Sequence, residues 1–140
     1  MSPEIRSTDE SGPVHNSSPL ISYTTGWMDT PVGDSYAANY SGGSFHATNT
    51  SGDAVTFKFN GTGVWFYGAH RPGYGDYSVA IDGNSVFSGS AASSNPIFDQ
   101  FLGGAANLSM GEHTAVLTST GGGPIDLDSL IFEAQTGVDE

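Results

Sequence analysis

Apolar and polar residues alternate along the chain in short bursts separated by turn-forming residues. Val55, Phe57 and Phe59 alternate with Thr56, Lys58 and Asn60, and Tyr77, Val79 and Ile81 with Ser78 and Ala80. Such alternation is the signature of a strand with one face buried. Gly61–Gly63 predicts a turn, and the apolar run Val64-Trp65-Phe66-Tyr67 after it predicts a strand covered on both faces, with Trp65 in the core. Asp82-Gly83-Asn84 carries hairpin-turn chemistry. Further strands are expected at Leu20–Trp27, Ser44–Thr48, Val86-Phe87, Ile97–Leu102, Thr114–Thr118 and Ile125–Phe132. Trp27 is also expected in the core, though its place at a strand end before Met28-Asp29 makes it the readier of the two tryptophans to be exposed. No stretch sustains a helical apolar period with caps, so the pattern predicts an all-β fold, an antiparallel β-sandwich or barrel.

Sequential strands on short connections alternate in direction, which sends every second loop to the same end. One rim then gathers Asn49–Asp53, Ala69–Asp76, Ser90–Pro96 and Thr120–Pro124. The opposite rim gathers Ser41–Gly43, Gly61–Gly63, Asp82–Asn84 and Gly103–Glu112. The expected domain is Leu20–Gln135. Met1–Pro19, with three prolines, several serines and no apolar periodicity, reads as a disordered tail or an appended segment, and Thr136–Glu140 as a short C-terminal tail.

Composition narrows the partners. The chain has 140 residues, enough for one domain of the usual roughly 100–200 residues. Fifteen acidic residues stand against Arg6, Lys58 and Arg71, a formal charge of -12. That leaves no cationic surface to neutralise phosphates, so nucleic acid is not an expected partner, and neither is an anionic membrane surface. There is no cysteine, hence no disulfide, thiolate metal site or cysteine nucleophile. No apolar window approaches a bilayer span, so the expectation is no membrane insertion by this chain. No export signal is visible, which leaves a cytoplasmic location open beside a fragment of a longer secreted or membrane protein. Sequons at Asn16, Asn39, Asn49, Asn60 and Asn107 favour the extracellular or cell-surface alternative. Those at Asn39, Asn60 and Asn107 are expected to cluster at the second rim.

The order of motifs resembles a known family. The run Gly63–Ala69, a Gly/Pro loop, Gly75–Gly83, then Gly111-Glu112-His113-Thr114 and Ile125–Phe132 is similar to the galactose-binding-like β-jelly roll. The likeness is to extracellular domains of fungal single-pass membrane proteins and, more distantly, to carbohydrate-binding modules, and it covers about Leu20 to Ala134. It implies a jelly-roll sandwich that binds a glycan or another surface ligand, or serves as a spacer. Many such modules carry paired glutamates near the N-terminus that join a closing-strand Asp around a structural calcium. The matching stretch here, Leu20–Thr24, has no acid.

The loop Ala69–Asp76 concentrates the chemistry. Arg71 is one of only three basic residues, and His70, Tyr74 and Asp76 stand beside it, shaped by Pro72, Gly73 and Gly75. A sugar site needs a flat aromatic for C–H faces and planar donors or acceptors for vicinal hydroxyls; His70, Arg71, Tyr74 and Asp76 are the candidate ligand-binding residues. The plainer alternative is an Arg71–Asp76 pair bracing a hairpin under a Tyr74 lid. Asp126 and Asp128 project on one face of their strand, and Asp128 is expected near the core, held by backbone N–H groups or a hydroxyl. A cation site at Asp128, with calcium as the cofactor, is the alternative to no cofactor at all. Glycosidase carboxylates face each other across a cleft, unlike this pair. His15, His46, His70 and His113 lack metal-ligand spacing, no G-x-S-x-G elbow is present, and Gly121–Gly123 lacks the Lys of a phosphate loop. The expected function is therefore a non-enzymatic extracellular domain that takes a glycan or cell-surface ligand through the 69–76 rim. A glycosylated structural or adhesive ectodomain and an accessory module of a carbohydrate-active enzyme are the alternatives. Oligomeric state and the identity of the ligand are not legible.

Overall fold

The computed structural model describes residues 12–15, 18, 20–29, 37–40 and 44–134. Its strands are β1 (Gly12–His15), β2 (Ile21–Tyr23), β3 (Met28–Asp29), β4 (His46–Thr48), β5 (Ala54–His70), β6 (Asp76–Ile81), β7 (Asn84–Ser90), β8 (Ile97–Ala105), β9 (Glu112–Gly121), β10 (Ile125–Leu127) and β11 (Ser129–Ala134). All strand pairings among them are antiparallel. The architecture is the expected all-β sandwich.

The long strand β5 builds both layers. Its first half, Ala54–Asn60, pairs with β9 on one side, and Val55–Phe57 pairs with β2 on the other. Its second half pairs with β11 and β8. One layer therefore runs β2, β5, β9, β6, β7, the other β1, β11, β5, β8. A small third sheet, β10-β4-β3, lies apart. The turn expected at Gly61–Gly63 is instead a corner through which the strand changes layer, a known use of bends in packed sheets. Missing side chains permit it: a Cβ on Gly61 would sit 2.2 Å from the Glu133 carbonyl oxygen, and one on Gly63 2.5 Å from the Trp65 ring.

Alternation then fills the space between the layers. Val55, Phe57, Phe59, Val64 and Phe66 from β5 meet Val79, Leu102, Leu117, Leu130 and Phe132 in one core. Phe57 from the first layer touches Phe132 from the second at 5.5 Å between ring centres. Trp65 and Tyr67 are only half-buried, so the apolar run is covered on one face and half-covered on the other, and Trp65 is not a core residue. Trp27 is half-buried: it packs on the core and donates its Nε1–H to the Ala54 carbonyl at 3.1 Å.

The N-terminal expectation needs correction. Within the stretch read as a tail, β1 pairs with β11 from Gly12↔Phe132 to His15↔Ser129, and Val14 is buried in the core. Ladder hydrogen bonds and one apolar side chain hold it without any visible periodicity. Residues 136–140 lie outside the described residues.

Candidate functional site

Four loops meet at one end, as strand alternation predicts. Arg71 N–H donates to the Ala91 carbonyl, Ala91 N–H to Gly75 and Gly75 N–H to Pro124, at 3.0, 2.8 and 2.8 Å. Gly52 N–H reaches the Ser119 carbonyl, and Ser119 N–H that of Asp53, both at 2.8 Å. The 71–76 and 121–124 segments pass backbone against backbone. A Cβ on Gly75 would fall 2.4 Å from the Gly123 nitrogen, and Gly123 itself has φ +150.

Inside this rim lies a network that closes on Asp126. Burial pushes the Asp126 carboxyl up to about 6, against the donors Tyr40, Tyr74 and the Ala69 amide and the nearby Arg71 charge. Tyr74 Oη–H donates to Asp126 Oδ2 at 2.7 Å and Ala69 N–H to Oδ1 at 2.8 Å, while Tyr40 Oη–H also donates to Oδ2. Arg71 Nη1 donates to the hydroxyl oxygens of Tyr40 and Tyr74 at 3.2 and 3.4 Å. Its guanidinium lies 5.4 Å from the Tyr74 ring centre and 6.0 Å from that of Phe45, within cation–π range. Burial, then the Asp126 charge, pushes both tyrosine hydroxyls above their ordinary range. Gly68 makes room: a Cβ there would lie 2.5 Å from the Asp126 carbonyl oxygen.

Two of the four candidate residues, Arg71 and Tyr74, therefore come together, but around Asp126 and Tyr40 rather than around Asp76. The Arg71–Asp76 brace gives way to a deeper one. His70 ends β5 with its Nε2 buried and without a partner among the described residues, and burial lowers its proton affinity. Asp76 is exposed at the start of β6. It lines an open cleft of about 360 Å³ with Tyr77, Ser88, Gly89 and Thr120. Tyr77 points inward while Asp76 and Ser78 face out.

A second cavity of about 310 Å³ is lined by Asn39, Tyr40, Asp99, Asp128 and Ser129. Asp128 is buried as expected, at the break where the chain passes from β10 to β11, and its N–H donates to the Tyr67 carbonyl at 2.9 Å. Among the described residues no group of three or more His, Asp or Glu side chains is arranged to hold a metal ion. The sequons Asn39, Asn49, Asn60 and Asn107 are exposed; Asn16 lies outside the described residues. Asn60 and Asn107 share the second rim, where Leu108 N–H donates to the Thr62 carbonyl. Asn39 does not join them, because Tyr40 next to it is drawn into the Asp126 network.

Sequence reasoning missed Tyr40 and Asp53. Asp53 accepts from Thr48 and Thr24 hydroxyls at 2.6 and 2.8 Å, and those bonds, Thr48 first, hold it below the usual carboxylate range. Asp53, just after Ser51-Gly52 in a turn, looks like any loop acid. Tyr40 stands 86 residues from Asp126. No local signal links them.

The two packed antiparallel layers and their rim of loops make an all-β antiparallel sandwich. No protein-family model matches the chain, and no curated protein matches it. Solved structures do. The CBM36-1 domain of a multidomain xylanase from the hindgut metagenome of Trinervitermes trinervoides superposes with TM-score 0.58 at 15% identity, over 92% of this chain and 100% of that one. A family 35 carbohydrate binding module from an environmental isolate gives 0.58 at 15%, over 90% and 99%. A two-domain esterase active on acetylated mannans gives 0.62 at 15%, over 92% of this chain and 38% of that one. The chain spans 31% of the Agl-KA catalytic domain and 34% of a family two carbohydrate esterase from Cellvibrio japonicus. At these identities the likeness establishes the fold.

Proposed function

We propose that this chain is a non-catalytic carbohydrate-binding domain of the extracellular space, and that it binds through the first rim, at the cleft beside the 69–76 loop. The observation that carries the reading is the cleft itself. An exposed carboxylate, Asp76, and two hydroxyls, Ser88 and Thr120, line it together with Tyr77 and Gly89. Carboxylates accept and hydroxyls both donate and accept, which suits the vicinal hydroxyls of a neutral sugar. The charge of -12 favours neutral over anionic glycans. Support for the ligand class comes from the like-folded modules named for carbohydrate binding, two of which this chain matches along nearly their whole length. Support for a non-catalytic role comes from Asp126, the carboxyl with raised proton affinity, which is buried under two tyrosines. The exposed sequons support the location. Arg71 and Tyr74 then act as positioning residues that shape the loop without offering it a stacking face.

One observation favours a second reading, a glycosylated structural or adhesive ectodomain: the cation and the aromatic of the loop are turned inward and spent on the brace. A glycan array separates the two. Binding by wild type that falls at least tenfold in Asp76→Ala, with an unchanged melting temperature, supports the sugar site. Wild type that binds no neutral glycan supports the spacer.

A further inference from the structure

At the opposite rim, His113 on β9 sits buried between two oxygen acceptors. Its Nδ1 is 2.5 Å from Asp82 Oδ2 on the β6–β7 turn, and its Nε2 is 2.5 Å from the Ser109 carbonyl oxygen in the 106–111 loop. A neutral imidazole carries one N–H, so one of these contacts would set a nitrogen lone pair against an oxygen. Only the imidazolium donates to both. We propose that His113 is the pin of a pH-operated clasp, which in its protonated form fastens the 106–111 loop to the β6–β7 turn and releases that loop on deprotonation.

The parts around it anchor the Asp82 end on β9, while the Ser109 carbonyl lies in a loop tied elsewhere by Leu108, which packs on the core, and by Gly111. Asp82 is anchored by β9: its Oδ1 accepts from Thr114 N–H and its own N–H donates to the Thr114 carbonyl, both at 2.8 Å. Its backbone lies in the left-handed region at φ +53. The Phe59 ring covers the imidazole at 5.8 Å between centres. The 106–111 loop has two backbone ties besides His113, Leu108 N–H to Thr62 and Gly61 N–H to the Gly111 carbonyl. Charged residues on the flanking elements are Asp82 on the turn, Glu112 next to it on β9 and Lys58 on β5; of these Asp82 alone contacts the ring. The Ser109 carbonyl first, and then Asp82, hold His113 above the ordinary 6.5 of a histidine, against burial. When the proton leaves, the carboxylate keeps Nδ1–H and the Nε2 lone pair faces the Ser109 oxygen. That end opens. The clasp is thus fastened below the ordinary value and is lost as pH rises through the raised one.

An NMR titration of the whole chain tests it through the His113 ring protons and the Ser109, Met110 and Asp82 amides. The expected result is a His113 midpoint above 6.5, with the Ser109 and Met110 amides shifting at the same midpoint. Asp82→Asn, which removes the charge and turns an amide N–H toward the ring, should lower that midpoint by at least about one pH unit. A wild-type midpoint at or below 6.5, a loop whose amides do not follow it, or a midpoint unmoved by Asp82→Asn overturns the clasp.

Discussion

Asp126 shows how one buried carboxyl organises a surface loop. It accepts from two tyrosine hydroxyls and one amide, and the Arg71 guanidinium, whose charge favours the ionised carboxyl, donates to both hydroxyls. Tyr74→Phe removes one donor from a buried acceptor and should cost about 1–3 kcal/mol, read by chemical denaturation. The proton balance is also testable. The folded carboxyl titrates at about 6 against 3.8 in an unfolded chain, so between those values the native state holds the extra proton. Stability therefore falls as pH rises through that window and levels off above it. The change attributable to this group is on the order of 3 kcal/mol. Asp126→Asn should flatten that part of the curve, and a variant whose stability still falls as steeply as wild type between pH about 4 and about 6 would refute the assignment. The strand pattern placed Asp126 on the same face as the buried Asp128, but its partners were not legible, because they come from positions 40, 69 and 74.

Elements were the most legible scale. Alternation located the first half of β5 and β6, where every second side chain is buried, and turn residues marked the hairpin at Asp82-Gly83-Asn84; short apolar runs marked β7 to β9, of which β7 is an almost wholly exposed edge strand. What alternation could not distinguish was a turn from a corner. Gly61 and Gly63 look the same in both, and only the register across β11, with its shift at Glu133, shows that the strand continues. Likewise β1 lacks a pattern because a short edge strand is held chiefly by its ladder. A sharp consequence follows at Gly104, where an added Cβ would lie 2.0 Å from the Val64 carbonyl oxygen. Backbone cannot yield there as a flexible side chain can, so Gly104→Ala should destabilise by more than about 2 kcal/mol or prevent folding. Ser88→Ala, on an exposed edge strand, should change stability by less than about 0.5 kcal/mol. Thermal melts of the two variants side by side would check the contrast.

For the whole molecule, two rims with different duties emerge. The first is knitted by backbone bonds between four loops and braced by Asp126, which leaves Asp76, Ser88 and Thr120 open to solvent. The second is closed by His113 and carries the sequons at Asn60 and Asn107. At the second end, the 61–63 corner meets the 106–111 loop, while Ser41–Gly43 lies outside the described residues. The gathering of loops at the first end was readable from strand order. The division of labour was not, since the loop richest in side-chain chemistry uses Arg71 and Tyr74 for its own support. On the proposed reading, the cleft left by that arrangement takes the ligand, and its Asp76 carboxylate together with the chain's charge of -12 favours neutral sugars. The most direct measurement is binding of wild type and Asp76→Ala to an array of neutral and acidic polysaccharides. The expected result is retention on one or more neutral glycans, lost by at least tenfold in the variant, with acidic glycans unbound by either. Wild type that binds no neutral glycan, or Asp76→Ala that binds as tightly as wild type, would contradict a carbohydrate site at this rim.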